Sequence, residues 1–166
     1  MTLKKAISTH RWFLANSNRD KVDAEYLGIL SCNFNISKNF EYTIEVLEGF
    51  MDMFETFKEG DQLELLVHLI EAYIDSDELV KAKTVIGTIC LKIADYAIFY
   101  YSGRVELGMC NFEAAIDHIR KAYNYGLSSQ RIGMEIGDRI SIAAALLGTT
   151  LLKQSKDNEA EAFSIL

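Results

Sequence analysis

Between Ala94 and Gly126 two helical periods lie on either side of a short break, and no other stretch constrains the fold as tightly. Ala94, Ala97, Ile98, Tyr101 and Val105 recur at the spacing that stacks side chains on one helix face. After the break at Met109-Cys110, Phe112, Ala115, Ile116, Ile119, Ala122 and Tyr123 do the same. Small residues, Gly103 in the first period and Ala115 and Ala122 in the second, stand among the larger apolar ones. A glycine inside a helix costs roughly 1 kcal/mol against alanine, so Gly103 predicts a close approach of two antiparallel helices. The stretch reads as a helical hairpin.

The rest of the chain follows the same pattern. No proline occurs in 166 residues, and the 10 glycines are scattered. Both facts favour continuous helices joined by short turns. Residues 3–15 are weakly amphipathic. Asp20 is placed to cap a helix over about 21–32, apolar at Val22, Tyr26, Ile29 and Leu30, and residues 33–39 read as a turn. A long helix is expected over 40–57, with Phe40, Ile44, Leu47, Phe50, Met51, Phe54 and Phe57 on one stripe. Gly60 stands where a C-terminal cap would end it. Leu66, Leu69, Ile70, Tyr73 and Ile74 mark the next helix. Ser76 or Asp77 is placed to cap the one after, with Leu79, Ala82, Val85, Ile86, Ile89 and Ile93. Beyond a connection over 127–137, Asp138 precedes a helix over 140–154 that is apolar nearly all round. A last helix is expected over 158–166. Strand alternation of useful length is absent. The expected class is all-α, a right-handed solenoid of helical hairpins, with N-terminal helices over 1–60 and one continuous array over 61–166.

The charge pattern excludes some functions. The chain carries a net charge of −7 with its acidic residues spread along it, so a phosphate-binding basic stripe is missing and direct nucleic-acid binding is not expected. Cys32, Cys90 and Cys110 lie in apolar stretches and read as buried, unpaired thiols of an intracellular protein. No run approaches the ~18 apolar residues of a membrane span. A cytoplasmic location is expected, with the nucleus as the alternative.

Repeat spacing carries the array idea further. Ala82 and Ala115 stand 33 residues apart, and Gly103 precedes Ala115 by the same twelve residues that separate Gly148 from Ala160. With Tyr73 and Ala122, these are the small-residue and aromatic positions of a tetratricopeptide-like hairpin. The match is good over 96–129 and fair over 63–95. A second likeness spans more of the chain. Tyr100-Tyr101-Ser102-Gly103-Arg104, then Asn111-Phe112-Glu113-Ala114-Ala115, then Leu127-Ser128-Ser129-Gln130, then Leu146-Leu147-Gly148 resembles the helical half of PCI proteins. These are scaffold subunits of assemblies such as the proteasome lid, the COP9 signalosome and mRNA-export complexes. Residues 131–139 are less basic than the family pattern, and no counterpart of its C-terminal winged helix precedes Leu166. The resemblance implies a non-enzymatic subunit of a multi-protein complex. A tetratricopeptide adaptor, chaperone or peptide receptor is the alternative, and an enzyme the third class.

Motifs for chemistry are scarce. His10, His68 and His118 lack a cysteine or carboxylate at ligand spacing, and His68 reads as a structural histidine. No phosphate-cradling glycine loop, nucleophile elbow or zinc-protease motif occurs. Glu106, Glu113 and Asp117 read as helix-surface carboxylates. No cofactor or metal is expected. Phe50, Met51, Met53, Phe54 and Phe57 read as core first, with a partner groove as the other reading. In a tetratricopeptide hairpin, Tyr100 and Arg104 fall on the face that lines the concave groove, as do Glu64, Val67, Glu71 and Asp75 in the preceding unit. Exposed Tyr and Arg are enriched at binding hot spots. The competing reading packs Tyr100 on the neighbouring hairpin and pairs Arg104 with Glu106 or Glu71. Ala160, Ala162, Phe163, Ile165 and Leu166 keep the last helix apolar, so Phe163 and Leu166 are expected to dock on another chain or to self-associate. The alternative folds that helix back on residues 140–152.

Overall fold

The computed structural model describes residues 22–89, 96–129 and 135–154, with Ser8, Arg11 and Ala162; its side-chain description omits 128–129 and 135–140. Among the described residues every regular element is helical. The α-helices are α1 (Ala24–Ile36), α2 (Phe40–Gly49), α3 (Glu59–Asp75), α4 (Leu79–Ile89), α5 (Tyr96–Gly108), α6 (Phe112–Ser129) and α7 (Glu135–Gln154), and a 3-10 turn, η1, covers Met51–Thr56. No described helix is long and apolar enough to cross a membrane. The chain forms two compact units, residues 1–82 and 83–166, which divide within α4.

In the first unit α1, α2 and α3 pack on one another in all three pairings. Their core joins Leu27, Leu30 and Phe34 of α1 to Val46 and Leu47 of α2 and to Leu65, Leu69 and Ile70 of α3, with Phe50 and Phe54 filling in from the bend between α2 and α3. Burying each such side chain stabilises by roughly 1.5–3 kcal/mol. A polar chain crosses the same core. The Thr43 hydroxyl donates to Asn35 Oδ1 at 2.7 Å, and the Asn35 amide donates to the His68 carbonyl at 3.1 Å and to Glu71 Oε2 at 3.2 Å. One side-chain relay thus ties α2 to α1 and α1 to α3, satisfying groups that would be costly to bury alone.

In the second unit α5 and α6 form the hairpin expected from the sequence, and α7 packs on α6. Gly103 is buried, and a Cβ there would run into Ile119 Cγ1 while lying 3.3 Å from the Ala115 carbonyl. That is the close approach its position predicts. Ala115, Ile116 and Ile119 share a cluster with Leu147, Leu151 and Ala162, while Ala122 packs with Tyr96 and Ala143.

The turns 37–39, 76–78 and 109–111 are built alike. Lys38, Asp77 and Cys110 sit in the left-handed region at φ 55, 61 and 61°. Each donates its N–H to the carbonyl three residues back: Asn35, Ile74 and Leu107. The following residue donates five back, to Phe34, Tyr73 and Glu106. This is a Schellman stop, which satisfies the last carbonyls of a helix and sends the chain back on itself. Five residues after each left-handed residue comes a fully buried small side chain: Thr43, Ala82 or Ala115.

Several boundaries differ from the sequence reading. α1 starts at Ala24, capped by the Asp23 carboxylate, which accepts from the Tyr26 N–H at 2.8 Å. It continues through Ile36 because the side chains of Asn33 and Asn35 find partners instead of breaking the helix: Asn33 bonds back to the Ile29 carbonyl at 2.6 Å. The expected helix over 40–57 ends at Gly49 and tightens into η1, and the Phe54 ring meets that of Phe57, just past it, at 6.0 Å and a 41° tilt. Gly60 ends nothing; it lies in the first turn of α3. Ser76 and Asp77 close α3, and the first α4 bond runs from Ala82 N–H to the Glu78 carbonyl. Cys110 is exposed, not buried, because it occupies the left-handed position of its turn and not a helix face. Cys32 is half-buried and unpaired, and Cys90 lies outside the described residues.

Candidate protein-interaction site

Two polar clusters use side chains that would otherwise be candidates for chemistry. In the first unit the Tyr73 hydroxyl donates to Glu48 Oε1 at 2.6 Å, and Lys81 Nζ reaches the same oxygen at 3.1 Å and Glu78 Oε2 at 2.7 Å. The Tyr73 bond, helped by Lys81, holds the Glu48 carboxyl below its usual range, while burial and Glu48 push the Tyr73 phenol up. In the second unit Glu106 receives Lys83 Nζ at 2.7 Å and Asn111 Nδ2 at 2.8 Å. Those two donors lower its pKa in that order. Glu106 is only 8% exposed, so its assignment to the surface is corrected. The Asn111 N–H also closes the turn on the Glu106 carbonyl, so one residue anchors both the backbone and the side chain of the α5–α6 connection. Both clusters hold helices in place. Among the described residues no group of three His, Cys, Asp or Glu side chains could hold a metal ion.

Glu64, Val67, Glu71 and Asp75 all lie on α3, with Glu64 and Asp75 exposed and Val67 and Glu71 half-buried. Glu64 is exposed, 3.9 Å from His68 Nε2, at a depression of about 390 Å³ bounded by Glu25, Ile29, Lys58 and Asp61. Val67 is half-buried, and Glu71 accepts from Asn35 within the relay described above. Asp75 borders a separate depression of similar size with Lys38, Asn39 and Tyr42. Glu64 and Asp75 are eleven residues apart, so about 16 Å of helix separates the two hollows.

Tyr100 and Arg104 lie on α5 in the second unit, and there the structure does assemble a surface. Tyr100 stacks on Tyr96 at 5.9 Å and 9°, and meets Tyr101 edge-on at 5.2 Å. The Arg104 guanidinium stands 5.9 Å from each of the Tyr100 and Tyr101 ring centres. The i, i+3 and i, i+4 spacing brings one cation over two rings on the same helix face. Tyr100 also packs on the Tyr96, Ala122 and Ala143 cluster. All three side chains are half-buried. Tyr101 joins this face although its place in the apolar period assigns it to the core. Its three-residue spacing to Arg104 was the available signal.

The aromatic run after α2 is divided. Phe50 and Phe54 are buried, Phe57 is half-buried and Met51 is exposed. Phe163 and Leu166 lie outside the described residues. Ala162 beside them is fully buried against Ala115, Ile116, Ile119, Leu147 and Leu151, so it presents no surface for docking. The chain matches no protein-family model, no curated protein and no solved structure.

Proposed function

We propose that this chain is a non-enzymatic protein-protein interaction scaffold, a right-handed array of helical hairpins that works as one subunit of a multi-protein assembly of PCI type. The observation that carries the reading is the Tyr100, Tyr101 and Arg104 platform on α5. Aromatic and arginine side chains dominate binding hot spots because they bury much area for few rotatable bonds. Here Tyr100 is already held by stacking and by the core, so a partner finds it pre-ordered and less side-chain freedom is lost on binding. The recurrence of one turn geometry at three helix ends supports an array of similar hairpins, in which each unit buries its apolar face on the next. The partner is another protein subunit, met in the cytoplasm or nucleus, and no cofactor takes part. A second reading, an adaptor that holds a partner segment, draws on the hollow beside Glu64, where Ile29 is exposed.

The test is co-purification of the tagged full chain from its own cells, with each partner quantified. Truncating a hot-spot residue costs about 2 kcal/mol or more, close to thirtyfold in affinity. The combined Tyr101→Ala and Arg104→Ala variant should therefore lose stoichiometric partners while melting near the wild-type temperature. Glu64→Lys should keep them. Loss with Glu64→Lys alone would favour the adaptor, and retention of every partner by both variants would sink both readings.

A further inference from the structure

The outer face of α7 differs from the charged face of α6. On α6, Glu113, Asp117, Arg120 and Lys121 are exposed and charged. On α7 no charged residue occurs between Arg139 and Lys153. One side of that span is buried, with Leu147 and Leu151 in the cluster shared with α6. The other side carries Ile142, Ala145, Thr149 and Leu152, all exposed, Ile142 at 52% and Leu152 at 38%. Their spacing of three, four and three places them on one stripe about 15 Å long. Thr149 adds no polar demand, because its hydroxyl donates to the Ala145 and Leu146 carbonyls at 2.9 and 3.0 Å. Covering the stripe leaves no orphaned hydrogen-bonding group among these four side chains.

We infer that this face of α7 is a homotypic docking surface, on which a second copy of the chain lays its own α7 antiparallel about a two-fold axis. Two features select a second copy as the occupant. The stripe reads large, small, small, large with the same spacing from either end, so reversing its direction reproduces it. About a two-fold axis Ile142 then faces Leu152 of the second copy, and Ala145 faces its Thr149, with the small pairs central where two helix axes approach to about 8 Å. The second feature is electrostatic. A chain of net charge −7 repels its own copy across charged surfaces, whereas these four positions set no charge against charge. The stripe is short, which makes the contact weak and concentration-dependent. It does not depend on the reading of the α5 platform.

Sedimentation velocity of the full chain across a concentration series tests it, with thermal melts of every variant. Wild type should show a monomer–dimer equilibrium. Ala145→Arg, at an exposed position, should weaken the dimer about tenfold or more without lowering the melting temperature. Ile142→Glu and Leu152→Lys should each weaken it, and the combined Ile142→Glu and Leu152→Lys variant should recover it, because opposite charges then face each other across the axis. Three results would overturn the inference: a wild type that stays monomeric throughout, an Ala145→Arg variant that dimerises like wild type, or a combined variant no better than its parents. A monomeric wild type whose Ala145→Arg variant melts early would place another part of the same chain on the stripe, and so would also overturn it.

Discussion

Gly103 and Gly87 are both helical glycines with opposite expected responses to a side chain. A Cβ at Gly103 meets the buried Ile119 and the Ala115 backbone, whereas nothing lies within 4 Å of one at Gly87. Gly103→Ala gains helix propensity but must displace a fully buried isoleucine, and overpacking of this kind costs about 1–3 kcal/mol. Gly103→Leu should cost more. Gly87→Ala removes backbone freedom from the unfolded chain with no clash, and should stabilise by about 0.5–1 kcal/mol. Chemical denaturation of the two alanine variants should move the midpoint in opposite directions; equal shifts would remove Gly103 from the hairpin contact. His68 supplies a pH signature. Burial lowers its pKa below the usual 6.5, and Glu71 and Glu64 only partly offset this. The unfolded chain therefore takes up this proton first. Stability from His68 is present above 6.5 and drains as pH falls through the lowered folded value. His68→Gln should flatten the stability profile just below neutrality. Glu106→Gln should act lower down, because the Glu106 contribution is present above about 4.5 and lost as pH falls through its depressed value.

At the scale of the element, the helices were legible in the sequence and their ends were not. The period over 112–123 translates directly into α6, because the residues that recur are the ones packed on α5 and α7. The ends were misplaced where a residue type suggested a cap that the backbone does not use. The left-handed stops fall on Lys38, Asp77 and Cys110 and none falls on glycine, so the most familiar sign of a helix end was missing. Phe54 and Phe57 fit three-residue as well as four-residue spacing, which hid the change from α2 to η1. On α5, spacing brings Tyr100 and Arg104 to one face, whereas the place of Tyr101 in the apolar period assigns it to the core and only its three-residue spacing to Arg104 argues otherwise. The stops lead to a prediction. A non-glycine residue in the left-handed region costs roughly 1–2 kcal/mol, part of which glycine returns through its own unfolded-state freedom. Lys38→Gly should then stabilise the first unit by about 0.5–1 kcal/mol, and Lys38→Val should destabilise it. Denaturation midpoints check both, and a loss of stability with glycine would contradict the turn geometry.

At the scale of the whole molecule, the polar side chains that could suggest chemistry are used in holding helices together: the Thr43, Asn35 and Glu71 relay, the Glu48 cluster and the Glu106 cluster. Outside these clusters lie the half-buried Arg104 with its two tyrosines and the exposed apolar stripe of α7. The most direct test is the size of the particle that carries the endogenous chain in gently lysed cells, read by native separation and mass analysis. A particle larger than a dimer of this chain, containing other subunits in fixed ratio, is the expected result. Recovery of the chain only as a free monomer or dimer, with no subunit in constant proportion, would contradict it.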